Sequence, residues 1–166
     1  THTPVPSSPT SNNSSSTTYV ERGNDYFNQG DYQKAIEQYN EAIRLNPQAA
    51  DAYNNRGIAY FNLGQNERAI QDYDEAIRLI PQFAHAYNNR GFAYFNLGQN
   101  ERAILDYDEA IRLIPQFAIV YYNRGLVYGN LGQNERAIQD YDEAIRLDPQ
   151  FALAYYNRGL AYGNLG

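Results

Sequence analysis

The stretch ADAYNNRGIAYFNLGQNERAIQDYDEAIRLIPQF (residues 50–83) is followed directly by AHAYNNRGFAYFNLGQNERAILDYDEAIRLIPQF (84–117). The two 34-residue blocks differ only at Asp51/His85, Ile58/Phe92 and Gln71/Leu105. Residues 118–151 repeat the pattern with more changes, 16–49 are a more divergent copy, and 152–166 are the first half of a fifth. Gly57, Gly91 and Gly125 share one position of the repeat, Gly64, Gly98 and Gly132 a second, and Pro81, Pro115 and Pro149 a third. A fixed period of this length is the signature of a solenoid, in which each unit buries its apolar face against its neighbours.

Each repeat reads as two helices. Residues 51–62 carry Tyr53, Gly57 and Tyr60 at helical spacing, and Gly64 then breaks the helix. Residues 66–79 carry Ala69, Ile70, Tyr73, Ala76 and Ile77 as an apolar stripe, with Glu67, Arg68, Asp72, Asp74, Glu75 and Arg78 on the other face. Asp74 and Arg78 form an i, i+4 pair with the acid N-terminal, the favourable order. Pro81 stops the second helix. Small residues at Gly57, Ala69 and Ala76 let two helices approach closely while tyrosines fill the gaps. No strand pattern occurs, so the expected fold class is all-α.

Ahead of the repeats, residues 1–15 (THTPVPSSPTSNNSS) hold Pro4, Pro6 and Pro9 and one large apolar residue, Val5. Such a composition buries too little to offset its ordering entropy and predicts a flexible tail; if ordered, the tail is expected in a groove. It has neither the charged n-region nor the apolar h-region of a signal peptide. Starting at Thr1 without Met, the chain reads as a processed protein or a fragment. The compartment stays open: cytoplasmic, or exported if the tail follows a removed signal.

Composition narrows the chemistry. Of 166 residues, 43% are hydrophobic and 19% charged, a folded chain, and no run of about 18 apolar residues exists to span a membrane. A net charge of −6 argues against nucleic acid, whose binders present surplus Lys and Arg. Cysteine is absent, which removes thiol nucleophiles and Cys-based metal sites, and only His2 and His85 offer imidazole. The Asp-x-Asp-Glu runs lack a calcium loop, and Gly125-x3-Gly129-x2-Gly132 follows no strand, so it is no phosphate loop. We expect no catalytic residue, no metal and no cofactor, hence no enzyme.

Tyr53-x2-Arg56-Gly57-x2-Tyr60, then Ala69-x3-Tyr73, Ala76 and Pro81, resembles the signature of the tetratricopeptide repeat family, with Tyr for the usual Trp and Arg for the usual Leu. The match recurs in every repeat over 16–166. The resemblance implies a right-handed α-solenoid, a superhelix of stacked antiparallel helix pairs. It also implies that the first helices line a concave groove that takes a peptide or protein segment.

On the groove face, the first helix reads Asp51, Asn54/Asn55, Ile58, Phe61/Asn62. Stacking the repeats gives the row Glu21, Asn55, Asn89, Asn123, Asn157 and a second row Asn28, Asn62, Asn96, Asn130, Asn164. An asparagine amide offers an acceptor and two donors, the complement of a peptide group, so the first row is expected to hold an extended chain by its backbone. The second row, beside the helix end, is expected to cap helices. A third row, Asn24, Ile58, Phe92, Leu126, Leu160, turns apolar along the chain. Phe27, Phe61 and Phe95 give way to Gly129 and Gly163, while Asn54 and Asn88 give way to Tyr122 and Tyr156. This predicts a polar, Phe-floored first half and a pocket over Gly129 walled by Tyr122 and Tyr156. Asp51 and His85, at equivalent positions, complete the expected peptide-contacting set with Asn24, Asn55, Asn89, Asn123 and Asn157.

The family's clamp for chaperone C-terminal carboxylates does not carry over. Asn24 and Asn55 fit its Asn positions, but Val20, His85 and Asn89 stand where it has cations, and two carboxylates need them. Arg22, Arg56, Arg90, Arg124 and Arg158, facing Asp72, Asp106 and Asp140, are expected to make ion pairs inside the scaffold. Two further expectations compete with peptide binding: a homo-oligomer stacked end to end through the apolar helix 152–166, and a regulatory or adaptor portion of a larger protein.

Overall fold

The computed structural model describes residues 9–166, with side chains described from Ser14 onward. Among these residues there are nine helices and no strand: α1 Pro9–Asn28, α2 Tyr32–Leu45, α3 Ala50–Asn62, α4 Asn66–Leu79, α5 Ala84–Asn96, α6 Asn100–Leu113, α7 Ala118–Asn130, α8 Asn134–Leu147 and α9 Ala152–Gly163. The all-α expectation is correct, and each repeat is a helix pair.

α1 begins earlier than composition suggests. The helix starts at Pro9, inside the segment 1–15 expected to be a flexible tail; residues 1–8 lie outside the described residues. Proline suits a first helical position, where its φ is preset and no N–H is needed. Further along, Ser16 takes the place that Ala50 and Ala84 hold in later repeats and is 3% exposed. Its hydroxyl donates to the carbonyl of Ala42 at 2.9 Å, which satisfies a polar group at a buried position.

The chain divides into two compact units, one ending at Pro81 and the other spanning Gln82–Gly166. In the first, α2 packs on α1 and α3, and α3 on α4; in the second, α6 packs on α5 and α7, and α8 on α7 and α9. Gly64 ends α3 at φ +73°, a conformation glycine adopts without strain, and the chain reverses into α4 within three residues. Gly57 serves closeness instead: a Cβ there would lie 2.6 Å from the Tyr73 ring, and at Gly125 2.7 Å from Tyr141. Tyr73 and Tyr107 are buried in this way against the small residues of their own and neighbouring helices.

The arginine row is the second recurring device. Arg56 donates from Nε and Nη2 to both carboxylate oxygens of Asp72 (2.8 and 2.6 Å) and from Nη1 to Asn40 of the preceding repeat (2.6 Å). Arg124 does the same with Asp140 (2.9 and 2.7 Å) and Asp108 (2.5 Å). Each guanidinium also lies over tyrosines, Arg56 at 5.5 Å from the Tyr53 ring and 5.9 Å from Tyr60. The scaffold ion pairs expected from the sequence are present at Arg56, Arg90 and Arg124, whereas Arg158 pairs with Asp142 and the first repeat has Gln38 at the aspartate position. Burial pushes the Asp72 and Asp140 carboxyls up, and the bidentate guanidinium opposes that shift.

Candidate functional site

Each unit contains a recess at the same place of the repeat, between successive first helices and floored by the second helix between them. In the first unit, Asn24, Phe27 and Asn28 of α1, Tyr39 of α2, and Asn55 and Ile58 of α3 line about 270 Å³. In the second, Leu126, Gly129 and Asn130 of α7, Asn134 and Tyr141 of α8, and Asn157, Leu160, Ala161 and Asn164 of α9, with Phe95 of α5, line a recess of about 270 Å³. Leu126 is the counterpart of Asn24, Gly129 of Phe27, Tyr141 of Tyr39 and Asn157 of Asn55.

The first recess is knitted by amides. Asn24 Oδ1 accepts from Tyr39 Oη (2.8 Å) and from Asn55 Nδ2 (3.1 Å), and Asn55 Oδ1 accepts from Asn54 Nδ2 (3.2 Å). That leaves Asn24 its amide protons and Asn55 one proton and one lone pair. In the second unit, Asn123 Nδ2 donates to Asn88 Oδ1 (3.0 Å), and Asn88 Nδ2 donates to Asn89 Oδ1 (3.3 Å). Asn157 Nδ2 donates to Tyr122 Oη (3.2 Å) and to the Leu153 carbonyl (2.9 Å). The asparagine row is thus partly engaged in bridging one first helix to the next. The second row behaves as a helix-end feature at Asn62, whose Nδ2 donates to the Ile58 carbonyl at 2.8 Å.

Three expected groove residues are turned inward. Asn54 is 6% exposed, Asn123 8% and Tyr122 9%. The first helices pack on second helices from two sides, so Asn54 and Tyr122, which a one-sided reading puts in the groove, fall on the flank covered by the neighbour. Tyr122 packs 4.8 Å from the Phe151 ring and 6.0 Å from Tyr141 instead of walling the recess. Tyr156 is 65% exposed and also lies outside it. The tyrosine over Gly129 is Tyr141, whose hydroxyl would lie 3.7 Å from a Cβ built there. Tyr39, Tyr141, Asn134 and Ala161 are the lining residues that sequence reasoning passed over. The spacing of Gly23 to Tyr39 and Gly125 to Tyr141 could have found the tyrosines.

The remaining expected residues are accessible. Asp51 is exposed in the first turn of α3, and Asn88, Asn89, Phe92 and Leu126 are half-buried. His85 is exposed, its ring 4.8 Å from Phe117 and 6.3 Å from Phe83. No charged side chain lines either recess. Burial pushes the Tyr39 and Tyr141 hydroxyls up to about 12, so both are neutral donors at ordinary pH. Among the described residues no group of three His, Cys, Asp or Glu is placed to hold a metal, and no helix is long and apolar enough to cross a membrane.

The chain's likeness to known proteins can be set beside this geometry. A family model described as TPR repeat matches residues 23–64, 59–98, 93–132 and 130–166. No curated protein matches the sequence. Among solved structures, the crystal structure of MamA protein is similar at 31% identity and TM-score 0.81, over 92% of this chain and 83% of that one. The first TPR of Spaghetti (RPAP3), bound to the HSP90 peptide SRMEEVD, is 30% identical at TM-score 0.70, over 72% of this chain and 94% of that one. The Arabidopsis OM64 TPR domain is 29% identical at TM-score 0.70, over 72% and 98%.

Proposed function

This chain belongs to the tetratricopeptide repeat family, and on that footing we propose that it is a protein-interaction scaffold that holds an extended peptide segment along its first helices. The observation that carries the reading is the pairing, in each unit, of repeat-spaced asparagine amides with an uncharged recess beside them. The spare amide protons of Asn24 and Asn55 match peptide carbonyls, and the recesses take side chains. A relative of 30% identity is solved with a peptide bound, which supports a peptide as the ligand class. That peptide, SRMEEVD, is acidic, whereas Val20, His85 and Asn89 give this chain no cationic clamp. We therefore assign it a neutral segment.

Magnitude shows why both parts are needed. Four neutral hydrogen bonds contribute about 2–6 kcal/mol net, while micromolar binding needs about 8 kcal/mol. Apolar contact in the recesses supplies the difference. Selection of displayed random peptides on the full chain tests the reading, with Asn24→Ala/Asn55→Ala/Asn89→Ala as the comparison protein. Selected peptides should lose most of their binding to the triple variant; undiminished binding would place them elsewhere.

One observation favours a second reading, self-association. α9 exposes Leu153, Tyr155, Tyr156, Leu160 and Tyr162, and nothing lies within 4 Å of a Cβ built on Gly159. Light scattering that finds a strict monomer at high concentration would remove it.

A further inference from the structure

One spot of the repeat is built in three ways. In the first repeat Phe27 lies at the edge of a recess whose Tyr39 hydroxyl is bonded to Asn24. In the third, Phe95 packs against the cluster around Tyr107, and Tyr107 Oη and Asn100 Oδ1 are sealed in without a hydrogen-bond partner. In the fourth, glycine stands at the phenylalanine position, and the counterparts of those two residues, Tyr141 and Asn134, line an open recess with Leu126, Leu160 and Phe95.

We infer that the recess over Gly129 is a specificity pocket for one aromatic side chain of a neutral peptide, its ring standing at the repeat position that Phe27, Phe61 and Phe95 occupy elsewhere. The inference rests on the groove reading above and names what that groove selects. Size supports a side chain: about 270 Å³ falls below the roughly 300–1,000 Å³ of small-molecule sites. Charge supports a neutral one, because an Asp or Lys would lose its hydration with no countercharge in the lining. Polar groups are placed to hold the ligand's backbone. Both Asn157 amide protons are already donated, to Tyr122 and to the Leu153 carbonyl, so its Oδ1 is left to accept a ligand N–H. Tyr141 faces Leu126 where Tyr39 faces Asn24, so its hydroxyl is left to donate to a ligand carbonyl.

The probes are N-acetyl-phenylalanine methylamide and its alanine and aspartate analogues, titrated into the full ¹⁵N-labelled chain. The phenylalanine probe should shift the amides of Leu126, Gly129 and Leu160 and bind at least about tenfold tighter than the alanine probe, as burial of a phenyl group implies. The aspartate probe should not shift them. Gly129→Phe installs the chain's own alternative and should abolish this preference while the helical circular dichroism stays native, since a Cβ there meets only Tyr141 Oη at 3.7 Å and Ala137 Cβ at 4.0 Å. Should that variant misfold, Leu126→Asn, which copies Asn24, must weaken the phenylalanine preference by several-fold. Equal binding of the phenylalanine and alanine probes, or a preference that survives the substitutions, overturns the pocket. The displayed peptides separate the two readings. Peptides that need the asparagines but lack aromatic enrichment leave the groove standing and the pocket refuted. Probe binding without any selected peptide removes the groove, and with it the peptide ligand, and leaves only a recess that takes an isolated aromatic group.

Discussion

The recess of the first unit and that of the second occupy the same repeat position, enclose the same volume of about 270 Å³ and stand on the same tyrosine, yet their chemistry differs. Asn24 and Phe27 make the first polar and ring-edged at these two positions; Leu126 and Gly129 make the second apolar on that wall and open at its centre, beside the asparagines that also line it. The arginine, the glycine under the tyrosine and the turn glycine are kept between them, while Gln38 in the first repeat stands where Asp140 stands in the fourth. The difference teaches that stability and recognition are carried by separate positions of the repeat, so each should respond to its own substitutions.

The largest test acts on the shared floor. Tyr39 and Tyr141 both have their hydroxyls pushed up to about 12 by burial, from an ordinary value of 10.0, although only Tyr39 has Asn24 as a partner. The neutral form is favoured in the fold, so the unfolded chain loses its proton first. Their contribution is therefore constant below pH about 10 and is lost as pH rises from about 10 to about 12. Tyrosinate absorbance and helical circular dichroism should change together. Ionisation of these tyrosines with the helices intact would show that burial in the recess floors does not hold their protons.

Next in size are the arginines. Arg56→Ala and Arg124→Ala each strand a buried Asp, Asp72 or Asp140, and should each cost about 3–5 kcal/mol by urea unfolding. Arg158→Ala removes a pairing to exposed Asp142 and a contact with the Tyr155 ring, and should cost about 0–1 kcal/mol. A large gap between Arg56→Ala and Arg124→Ala would break the claim of a common scaffold. Gly125→Ala puts a methyl 2.7 Å from the Tyr141 ring and should cost about 1–3 kcal/mol in the same assay. Gly159→Ala, with nothing nearby, should instead stabilise by about 0.5–1 kcal/mol through helix propensity.

The last pair of variants bears most directly on recognition. Asn24→Leu gives the first recess the second one's residue. It removes the acceptor of Tyr39 and Asn55, but water can reach the open recess, so the cost should be about 1 kcal/mol, near one net hydrogen bond. Leu126→Asn offers Tyr141 a new acceptor and should be close to neutral in a thermal melt. A loss of several kcal/mol in either variant would mean that the recess residues hold the fold and are not free to be tuned.

How much of this was readable in the residues follows from the same division. Period, helix pairs, the Gly–Tyr fit and the Arg–Asp pairs recur in nearly every repeat, so repetition itself exposed them. The inward turn of Asn54 and Tyr122 was not readable, because a helical wheel for α3 or α7 shows one packing face and the structure gives these helices two. The start of α1 at Pro9 was masked by a composition typical of a loose tail, and the hydrogen bond from Ser16 to Ala42 that ties the helix down joins residues in different helices. Gly129 stood out as a break in the phenylalanine row. Which tyrosine lay over it required the fold.

The arginine's two-sided grip, Arg124 reaching Asp140 ahead and Asp108 behind, has a consequence for how such a chain can change length. Both partners are set by the same sixteen-residue offset in either direction. A tandem copy of residues 84–117, inserted in frame, would therefore arrive with its own clasp for both junctions, and every older clasp would find a match. Growth or shrinkage by whole repeats keeps these pairs in register, whereas an insertion within the helices between an arginine and its carboxylate would shift one against the other. A unit of 34 codons is thus the step by which the array changes length without disturbing its clasps.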